Sequence, residues 1–371
     1  MNKVREEEMG EVLSSFDFIG EVTAVRPYGS GHINDTFLVT FEIGKMGRLQ
    51  VILQRLNSDI FLKPVEVIKN IEGVTSYMNK IIRERGGDPF RETLNLIPTK
   101  KGEVYYVDSL GYYWRAYIFI TDATSFDAVE SVKDFYQSGY AFGRFQNVLA
   151  GYNAETLSET IVGFHDTELR LQHFKEALAA DIKNRAKEVS RESEFILSRE
   201  ALAKELKGYQ LRGEIPLRVT HNDTKLNNIM IDNWTGKGIC VIDLDTVMPG
   251  LAVNDFGDSI RFGANTGAED ERDLSKVSCD LELFKVYAKG YLEGANGGLT
   301  ARECELLPLG AKTMTFECGM RFLTDYLNGD TYFKTHRPGQ NLDRARTQFK
   351  LLQDMEDKSS EMEKIISELK G

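Results

Sequence analysis

The chain has 371 residues, which is enough for two domains of ordinary size. Hydrophobic residues make up 42% of the chain and charged residues 28%, the composition of an ordinary soluble globular protein. The formal net charge of −11 argues against nucleic acid or an anionic membrane as the main partner. A nucleotide is still compatible with this charge, because local positive charge and Mg²⁺ can hold phosphates on an acidic protein.

The cysteines and the N-terminus indicate where the protein works. The four cysteines are far apart and form no C-x-x-C pair, so they predict neither a structural zinc site nor a disulfide framework. Reduced thiols are typical of the cytoplasm. The N-terminal residues are polar and acidic, unlike a signal peptide, and no run approaches the ~20 apolar residues of a membrane span. We therefore expect a soluble cytoplasmic protein.

Residues 21–56 have the pattern strand, glycine turn, strand, turn, strand. The glycine turn contains Gly29, Ser30 and Gly31, whose small size would let backbone N–H groups approach a phosphate. The alternative is a plain hairpin turn, and both interpretations stay open. The third strand ends in Arg55, either a solvated strand end or a group facing the cleft.

A helical period follows between Val65 and Arg83, with Pro64 at its first turn. Glu72 lies at the edge of the apolar face of this helix. It is interpreted either as a surface carboxylate or as the partner of Arg55 across the lobe.

A second hairpin, residues 104–107 and 112–120, leads into a small polar stretch at 121–125. We place a lobe boundary there, with residues 1–120 as a nucleotide-binding lobe and 121–371 as a catalytic and substrate-binding lobe. After the boundary the periodicity is mainly helical. His165 and His173 flank one of these helices and are interpreted as surface or capping residues. The order of elements predicts an α+β protein of two lobes.

The stretch from Val219 to Gly250 contains an unusual concentration of polar residues between short apolar runs. Residues 229–231 and 239–242 predict two strands, and Asp232 to Gly238 supplies the turn between them. The polar residues at the entry and exit of this hairpin are His221, Asp223, Lys225, Asn228, Asp243 and Asp245.

This polar pattern predicts phosphoryl transfer. The transfer needs a carboxylate to orient a hydroxyl and accept its proton, a role that suits Asp223, and oxygen ligands for Mg²⁺, a role that suits Asn228 and Asp243. In an extended segment Asp245 would point the same way as Asp243, while His221 is expected to brace the loop. The alternative is a polar turn cluster that only caps the hairpin.

The motifs THNDTKLNN and VIDLDT resemble the H-x-D-x4-N and I-D-[WFL]-[ED] segments of the aminoglycoside phosphotransferase/choline kinase-like family, a relative of the protein kinases. Within it, GSGHINDTF, ILQRLN and RFLTDYLNGDTYFK are similar to N-acetylhexosamine 1-kinases. The resemblance implies the two-lobed kinase-like fold and ATP- and Mg²⁺-dependent phosphorylation of the anomeric hydroxyl of GlcNAc or GalNAc.

The resemblance also implies roles for individual residues. Asp223 would be the base, and Asn228 and Asp243 would bind Mg²⁺. The nucleotide side would comprise Gly29, Ser30, Gly31, Arg55 and Glu72. The sugar side would comprise His32, Asp223, Asp243, Phe262, Arg321 and Tyr332.

Several of these roles have alternatives. Phe262 is also interpreted as a core residue, Arg321 as an ion-pair partner of Asp325 at i+4, and His32 as a loop residue. The strand lysine of protein kinases is missing, and either Arg55 or Gln54 takes its place, since only one of the two faces the cleft.

The function has alternatives as well. A kinase for aminoglycosides, choline or another sugar is one, because Asp255, Asp258 and Tyr326 could form an acidic pocket. A silent nucleotide-binding protein is the other. The intact set of Asp223, Asn228 and Asp243 argues against it.

Overall fold

The computed structural model describes residues 6–29, 33–126 and 131–370. Its N-terminal lobe is built on an antiparallel sheet of five strands in the spatial order β1-β2-β3-β5-β4. The strands are β1 (Glu21–Pro27), β2 (Asp35–Glu42), β3 (Arg48–Arg55), β4 (Tyr106–Val107) and β5 (Tyr113–Ile118). The predictions for Ser30, Gly31 and His32 lie outside the described residues.

The two faces of this sheet are covered by different helices. Val51 and Leu53 of β3 are fully buried together with Trp114 of β5, in a cluster that includes Val12 and Phe16. Val12 belongs to α1 (Glu6–Ser15), so this helix closes one face. Because side chains alternate along a strand, the neighbouring residues of β3 point to the opposite face, toward the rest of the molecule.

The helix predicted from Val65 to Arg83 is α2 (Pro64–Glu84), which begins at the proline as expected. Its apolar stripe, including Val67, Ile71 and Val74, is buried. Asn70 on the same helix donates from Nδ2 to the backbone oxygens of Ser158 (2.7 Å) and Val247 (3.0 Å). These bonds attach α2 to loops of the C-terminal part.

The chain crosses from one lobe to the other within residues 119–122. Strand β5 ends at Ile118 in the five-stranded sheet. The next strand, β6 (Ala123–Thr124), pairs instead with β8 (Ile229–Asp232) in a separate three-stranded sheet. A short helix, α3 (Pro89–Glu92), contributes Arg91, which ion-pairs with Asp232 (2.7 Å) across the same junction.

The C-terminal lobe is mainly helical. Its helices are α4 (Val132–Val148), α5 (Thr167–Ala180), α6 (Ser190–Leu197), α7 (Glu200–Leu211), α8 (Ala252–Gly263), α9 (Leu281–Ala295), α10 (Ala301–Glu305), α11 (Leu307–Asn328), α12 (Gln340–Asp357) and α13 (Ser359–Lys370). A Cβ atom on Gly143 of α4 would collide with the Tyr291 carbonyl of α9, so glycine is what permits their close packing. Met355 and Met362 are fully buried in the lobe's own core, which favours packing over a coiled-coil seam for the last two helices.

Three short strands complete the C-terminal lobe: β7 (Arg218–Thr220), β9 (Gly238–Val241) and β10 (Met248–Gly250). β8 and β9 form the predicted antiparallel hairpin, and β7 pairs with β10. The entry to β8 and the exit from β9 therefore lie side by side at the base of the N-terminal sheet. Within the described ranges, no helix is both long and apolar enough to cross a membrane.

Candidate active site

The loop between β7 and β8, residues 221–228, is held in place by buried side chains. We call it the His221 loop. The carboxylate of Asp255, on α8, accepts from the backbone N–H groups of His221 and Asn222, both at 2.8 Å. The fully buried His221 ring contacts the backbone oxygen of Ile242 through Nε2 at 2.8 Å. The histidine therefore braces the loop against the end of β9, as expected from the sequence.

Asp223 and Asn228 face each other at the two ends of this loop. The Asn228 amide nitrogen donates to the Asp223 backbone oxygen at 2.8 Å and to its Oδ2 at 3.2 Å. This orientation leaves the Asn228 Oδ1 available as a ligand. Lys225 lies 2.8 Å from Oδ1 of Asp223, whose side chain is 31% exposed. Asp223 thus has a defined orientation and an open side toward solvent.

Asp243 follows β9 and adopts the left-handed conformation, with φ of 58°. A short 3-10 turn, residues 244–246, comes next, and we call residues 243–246 the Asp243 turn. The Asp243 side chain keeps contact with solvent. The surrounding protein nevertheless displaces enough water that burial, followed by the charges of Asp245 and Asp223, raises its pKa to about 6. Clustered carboxylates of this kind favour a cation between them.

Asp245 differs from Asp243 in its surroundings, since Asp243 is exposed and Asp245 is buried. The prediction of an extended segment is wrong here, because Asp243 adopts the left-handed conformation and residues 244–246 form a 3-10 turn. Asp245 is 3% exposed and forms an ion pair with Arg115 of β5. Its Oδ2 also accepts from the Asn34 amide at 2.6 Å. It therefore joins the Asp243 turn to the N-terminal sheet.

Arg115 is the residue that the sequence interpretation missed. It is opposite Gln54 in the β3–β5 register, and its Nε and Nη2 donate to Gln54 Oε1 at 3.1 and 2.9 Å. The guanidinium is 1% exposed on the face toward Asp245. Burial would lower its pKa, but the charge of Asp245, its hydrogen bond and the nearby Tyr117 and Asp243 together outweigh burial and raise the pKa. An arginine inside the apolar run YWRAYI was the available signal.

Arg55 points to the other face of the sheet. Its Nε donates to Oδ2 of Asp35 at 2.9 Å, and its guanidinium lies over the rings of Tyr112 (4.6 Å) and Trp114 (5.8 Å). The expectation that Arg55 faces a nucleotide does not fit this placement, because strand alternation brings Gln54 to the cleft instead.

The other predictions for the nucleotide side have mixed outcomes. Arg55 pairs with the carboxylate of Asp35 on the neighbouring strand β2, where the sequence interpretation placed Glu72 as its partner. Glu72 is half-buried on α2, whose neighbouring residue Asn70 contacts the loop after the Asp243 turn. Gly29 has φ of +80°, a conformation that favours glycine and suits a tight turn.

Arg321 of α11, one turn after Glu317, lies among aromatic rings. Its guanidinium is 5.3 Å from the ring centre of Phe164, 5.5 Å from that of Phe333 and 5.9 Å from that of Tyr332. We call these four residues the Arg321 cluster. Tyr332 is 69% exposed, so the cluster opens to solvent.

The structure excludes two of the alternative interpretations. Asp325 accepts from the backbone N–H groups of Tyr332 (2.8 Å) and Phe333 (2.9 Å), so its carboxylate orders this loop and does not pair with Arg321. Phe262, at the end of α8, is 38% exposed and is not a core residue.

His165 connects the Arg321 cluster to the His221 loop, a role that sequence reasoning did not assign. Its Nδ1 lies 2.7 Å from Oε1 of Glu317, and its Nε2 lies 3.1 Å from the backbone oxygen of Asn222. Asp166 caps α5, and the His165 side chain is only 10% exposed, so His165 is neither a capping nor a surface residue. A lone histidine beside a helix gave no signal of this contact.

Solved structures of kinases share this fold over most of their length. A microcompartment-associated aminopropanol kinase aligns with a TM-score of 0.59 at 16% identity, covering 94% of this chain and 96% of the other. An aminoglycoside phosphotransferase from Alicyclobacillus acidocaldarius gives 0.59 at 10% identity, with 100% and 96% covered. Amicoumacin kinase hAmiN, in complex with AMP-PNP, Ca²⁺ and Ami, gives 0.55 at 11% identity, with 92% and 91% covered.

These likenesses show the two-lobed, protein-kinase-like α+β fold that the sequence predicted. The family comparison goes further. Residues 103–288, just over half of the chain, match the phosphotransferase enzyme family known as APH. The matched segment contains Arg115, the His221 loop and the Asp243 turn. The chain therefore belongs to the phosphotransferase enzyme family.

Proposed function

We propose that the protein transfers the γ-phosphoryl group of ATP to the anomeric hydroxyl of an N-acetylhexosamine. The observation that carries the reaction class is the side-by-side placement of Asp223, Asn228 and Asp243 at the base of the sheet. Asp223 would accept the proton of the attacking hydroxyl, since its carboxylate is oriented and open to solvent. Such a base contributes about 10²–10⁴-fold to the rate.

The residues present fit a magnesium ion. Asn228 Oδ1 and the Asp243 carboxylate are hard oxygen donors. Burial, followed by the charges of Asp245 and Asp223, raises the pKa of Asp243, and a bound cation would offset those charges. Among the described residues no group of three acidic, histidine or cysteine side chains could hold a metal alone. Mg²⁺ is commonly held by one or two carboxylates together with substrate phosphates, so the nucleotide would complete this site. The bound ion would neutralise charge on the transferring phosphoryl group.

The nucleotide would bind between the sheet and the His221 loop. Residues 119–122 cross between the lobes there, and the turn at Gly29 lies at the end of β1. Gly29, Ser30, Gly31 and Glu72 are proposed to line this side. We propose residues 1–120 and 121–371 as the two functional lobes.

The surroundings of Asp223 favour a neutral acceptor over a cationic one. A site for choline or an aminoglycoside would need free carboxylates, but those noted in the sequence are already engaged. Asp255 accepts from the backbone of His221 and Asn222, and Asp258 accepts from Arg261 at 2.7 and 3.0 Å.

The remaining groups near the loop include Lys225 and the guanidinium of Arg321. The Tyr326 hydroxyl, also noted in the sequence, donates to Glu188 at 2.9 Å and is likewise engaged.

A sugar suits the groups that are available. Sugar hydroxyls and an N-acetyl group need planar donors and an apolar surface, and the Arg321 cluster offers both. The resemblance to N-acetylhexosamine 1-kinases is what points to C1 of GlcNAc or GalNAc. The proposed sugar contacts are His32, Asp223, Asp243, Phe262, Arg321 and Tyr332.

The proposal is tested by incubating the protein with ATP and Mg²⁺ and single acceptors: GlcNAc, GalNAc, glucose, galactose, choline and an aminoglycoside. We expect ADP release with the N-acetylhexosamines and a product whose phosphate is at C1 by ³¹P NMR. If only choline or the aminoglycoside is phosphorylated, the sugar proposal is wrong and that acceptor is the substrate. Nucleotide binding without ADP release for any acceptor would favour a silent nucleotide-binding protein.

A further inference from the structure

The buried contact between His165 and Glu317 lies directly behind the loop that carries Asp223. His165 is 10% exposed and Glu317 is 1% exposed. Both ring nitrogens of His165 face oxygen: Nδ1 faces Oε1 of Glu317 at 2.7 Å, and Nε2 faces the Asn222 backbone oxygen at 3.1 Å. A backbone carbonyl only accepts, so Nε2 must carry a proton.

The second contact also needs a proton. Two lone pairs cannot face each other at 2.7 Å, so one proton must lie between Nδ1 and the Glu317 carboxyl. The other carboxyl oxygen of Glu317 already accepts from the Thr167 hydroxyl at 2.7 Å, which favours the ionised carboxylate and leaves the proton on the imidazole. The arrangement is complete only when His165 donates at both nitrogens.

We propose that His165 is a positioning residue for phosphoryl transfer, holding the Asn222 carbonyl, and through it Asp223, by a brace that requires the proton shared with Glu317. This proposal rests on the proposed function. When that proton leaves, a neutral imidazole nitrogen faces a carboxylate without a hydrogen between them. The repulsion would displace the ring and loosen the Asn222 contact.

The charges around His165 set the pH at which the proton leaves. The groups that face it are Glu317 and Arg321 on α11, Asp255 and Asp258 on α8, and Arg170 on α5. Arg170 donates to the backbone oxygen of Phe164, the residue before His165. Burial would lower the pKa of His165, but the charge of Glu317 and its hydrogen bond outweigh burial and raise the pKa above 6.5. Burial would likewise raise the pKa of Glu317, but the charge and hydrogen bond of His165, together with Arg321 and Thr167, outweigh burial and lower the pKa.

The sign of the pH effect follows from the raised pKa of His165. The brace is complete below that pKa and is lost as the pH rises through it. We therefore expect kcat to fall on the alkaline side of the pH profile, while the KM for ATP changes little, because the contact concerns the loop backbone and not the nucleotide side.

Two substitutions separate the brace from a merely structural role. In Glu317→Gln, the new amide N–H can donate to Nδ1 while its oxygen accepts from Thr167, so both contacts survive with neutral His165. We expect kcat at neutral pH within about threefold of wild type and no alkaline fall. In His165→Gln, we expect kcat roughly 10- to 100-fold lower at neutral pH, also without the alkaline fall.

The matched control is His173→Gln, which changes an exposed histidine on the neighbouring helix α5 and should preserve the full wild-type profile. Thermal unfolding of each variant checks that it is folded. An unchanged alkaline fall in both the His165→Gln and the Glu317→Gln proteins would overturn the proposal.

A measurement on the ring itself distinguishes failure of the brace from failure of the proposed function. Two-dimensional ¹H–¹⁵N NMR of the histidine rings, with His165→Gln assigning the signal, reports whether both nitrogens are protonated. We expect a doubly protonated ring at neutral pH that becomes neutral as the pH rises, and a neutral Nε2–H ring in Glu317→Gln. A neutral wild-type ring at pH 6 would overturn the brace, whatever the activity. If no acceptor is phosphorylated, the proposed function and the catalytic role fail together, while the ring signals still decide the brace.

Discussion

Arg55 and Arg115 are two buried arginines on neighbouring strands of one sheet, and they face opposite sides of it. Arg55 pairs with Asp35 on the adjacent strand and lies over two aromatic rings in the core beneath α1. Arg115 pairs with Asp245 from the C-terminal lobe, two residues beyond the proposed metal ligand Asp243. Their side chains are equally buried, at 1% exposure each.

The comparison shows that the contribution of a buried charge depends on whether its partner lies in the same lobe or in the other lobe. The Arg55 pair lies within one lobe, and Asp35 is 35% exposed, so the Asp35 carboxylate can regain water when Arg55 is replaced. The Arg115 pair joins both lobes, and Asp245 is almost completely buried. Substitutions on the outer side of the sheet should therefore affect stability modestly, and substitutions on the cleft side should affect stability and catalysis together.

The largest effect on activity is expected for substitution of Asp223, on the cleft side of the sheet. Asp223→Asn should lower kcat by about 10²–10⁴-fold, because the amide cannot accept the proton of the acceptor. The measurement is ADP release with the preferred acceptor, with ATP binding followed by calorimetry as the control for folding. A kcat within twofold of wild type would mean that the base is elsewhere.

Arg115→Met should cost about 3–5 kcal/mol of unfolding free energy, because it leaves Asp245 buried without a countercharge. It should also lower kcat, since the Asp243 turn loses its contact with the sheet. Urea unfolding measures the first effect and ADP release the second. The double substitution with Asp245→Leu should recover stability but not activity. If Arg115→Met lowers the free energy of unfolding by less than about 1 kcal/mol, the pair contributes no more than an exposed ion pair and the prediction is wrong.

Asp243→Asn should raise the Mg²⁺ concentration needed for half-maximal activity, because one anionic ligand is replaced by a neutral one. We expect at least the roughly 10- to 100-fold that loss of an outer ligand contact costs in metal sites. Titration of ADP release with Mg²⁺ after removal of metal by EDTA measures the shift. Equal titration curves for the variant and wild type would exclude Asp243 as a metal ligand.

Arg321→Gln should raise the KM for the sugar by about 10- to 100-fold, the equivalent of about 1.5–3 kcal/mol for a hydrogen bond to a charged group. The KM for ATP should be unchanged, because Arg321 belongs to α11 of the C-terminal lobe, whereas the proposed nucleotide side lies against the N-terminal sheet. Arg346→Gln, which removes the partner of Glu192 away from the site, is the matched control. A raised KM for ATP instead would place Arg321 on the nucleotide side.

The smallest effect is expected on the outer side of the sheet. Arg55→Met should cost about 0.5–1.5 kcal/mol of unfolding free energy, since the half-exposed Asp35 regains water. Per folded molecule, kcat and the KM for ATP should equal those of wild type. A large rise in the KM for ATP would restore Arg55 to the nucleotide side and break the distinction between the two faces.

Local sequence patterns predicted much of the fold. The hairpin of β8 and β9 follows from two short apolar runs separated by Asp, Asn and Gly, and the start of α2 follows from Pro64 before an apolar helical period. The bracing role of His221 also follows from local sequence, because its partner Ile242 ends the same hairpin. In each case the interacting residues are close in the chain, so their pattern contains the information.

Contacts between distant parts of the chain were not predictable in this way. Arg115 and Asp245 form an ion pair although they belong to different lobes. His165 contacts Asn222 although the two residues lie in different loops, 57 positions apart in the chain. Asp245 meets Arg115 from a turn that begins at the left-handed residue Asp243, and the sequence pattern of an apparent strand conceals this turn. Neither the periodicity of the sequence nor the residues next to them in the chain predicts these contacts.

The sequence by itself determined which polar groups meet at the proposed centre: a carboxylate, an amide and a second carboxylate at the two ends of a hairpin. The tertiary structure decided which charged groups surround that centre. Alternation along β3 requires Gln54 and Arg55 to face opposite sides, but only the packing of α1 on one face decides which side is core. The position of a helix distant in the chain thus determines that Arg115, and not Arg55, faces the site.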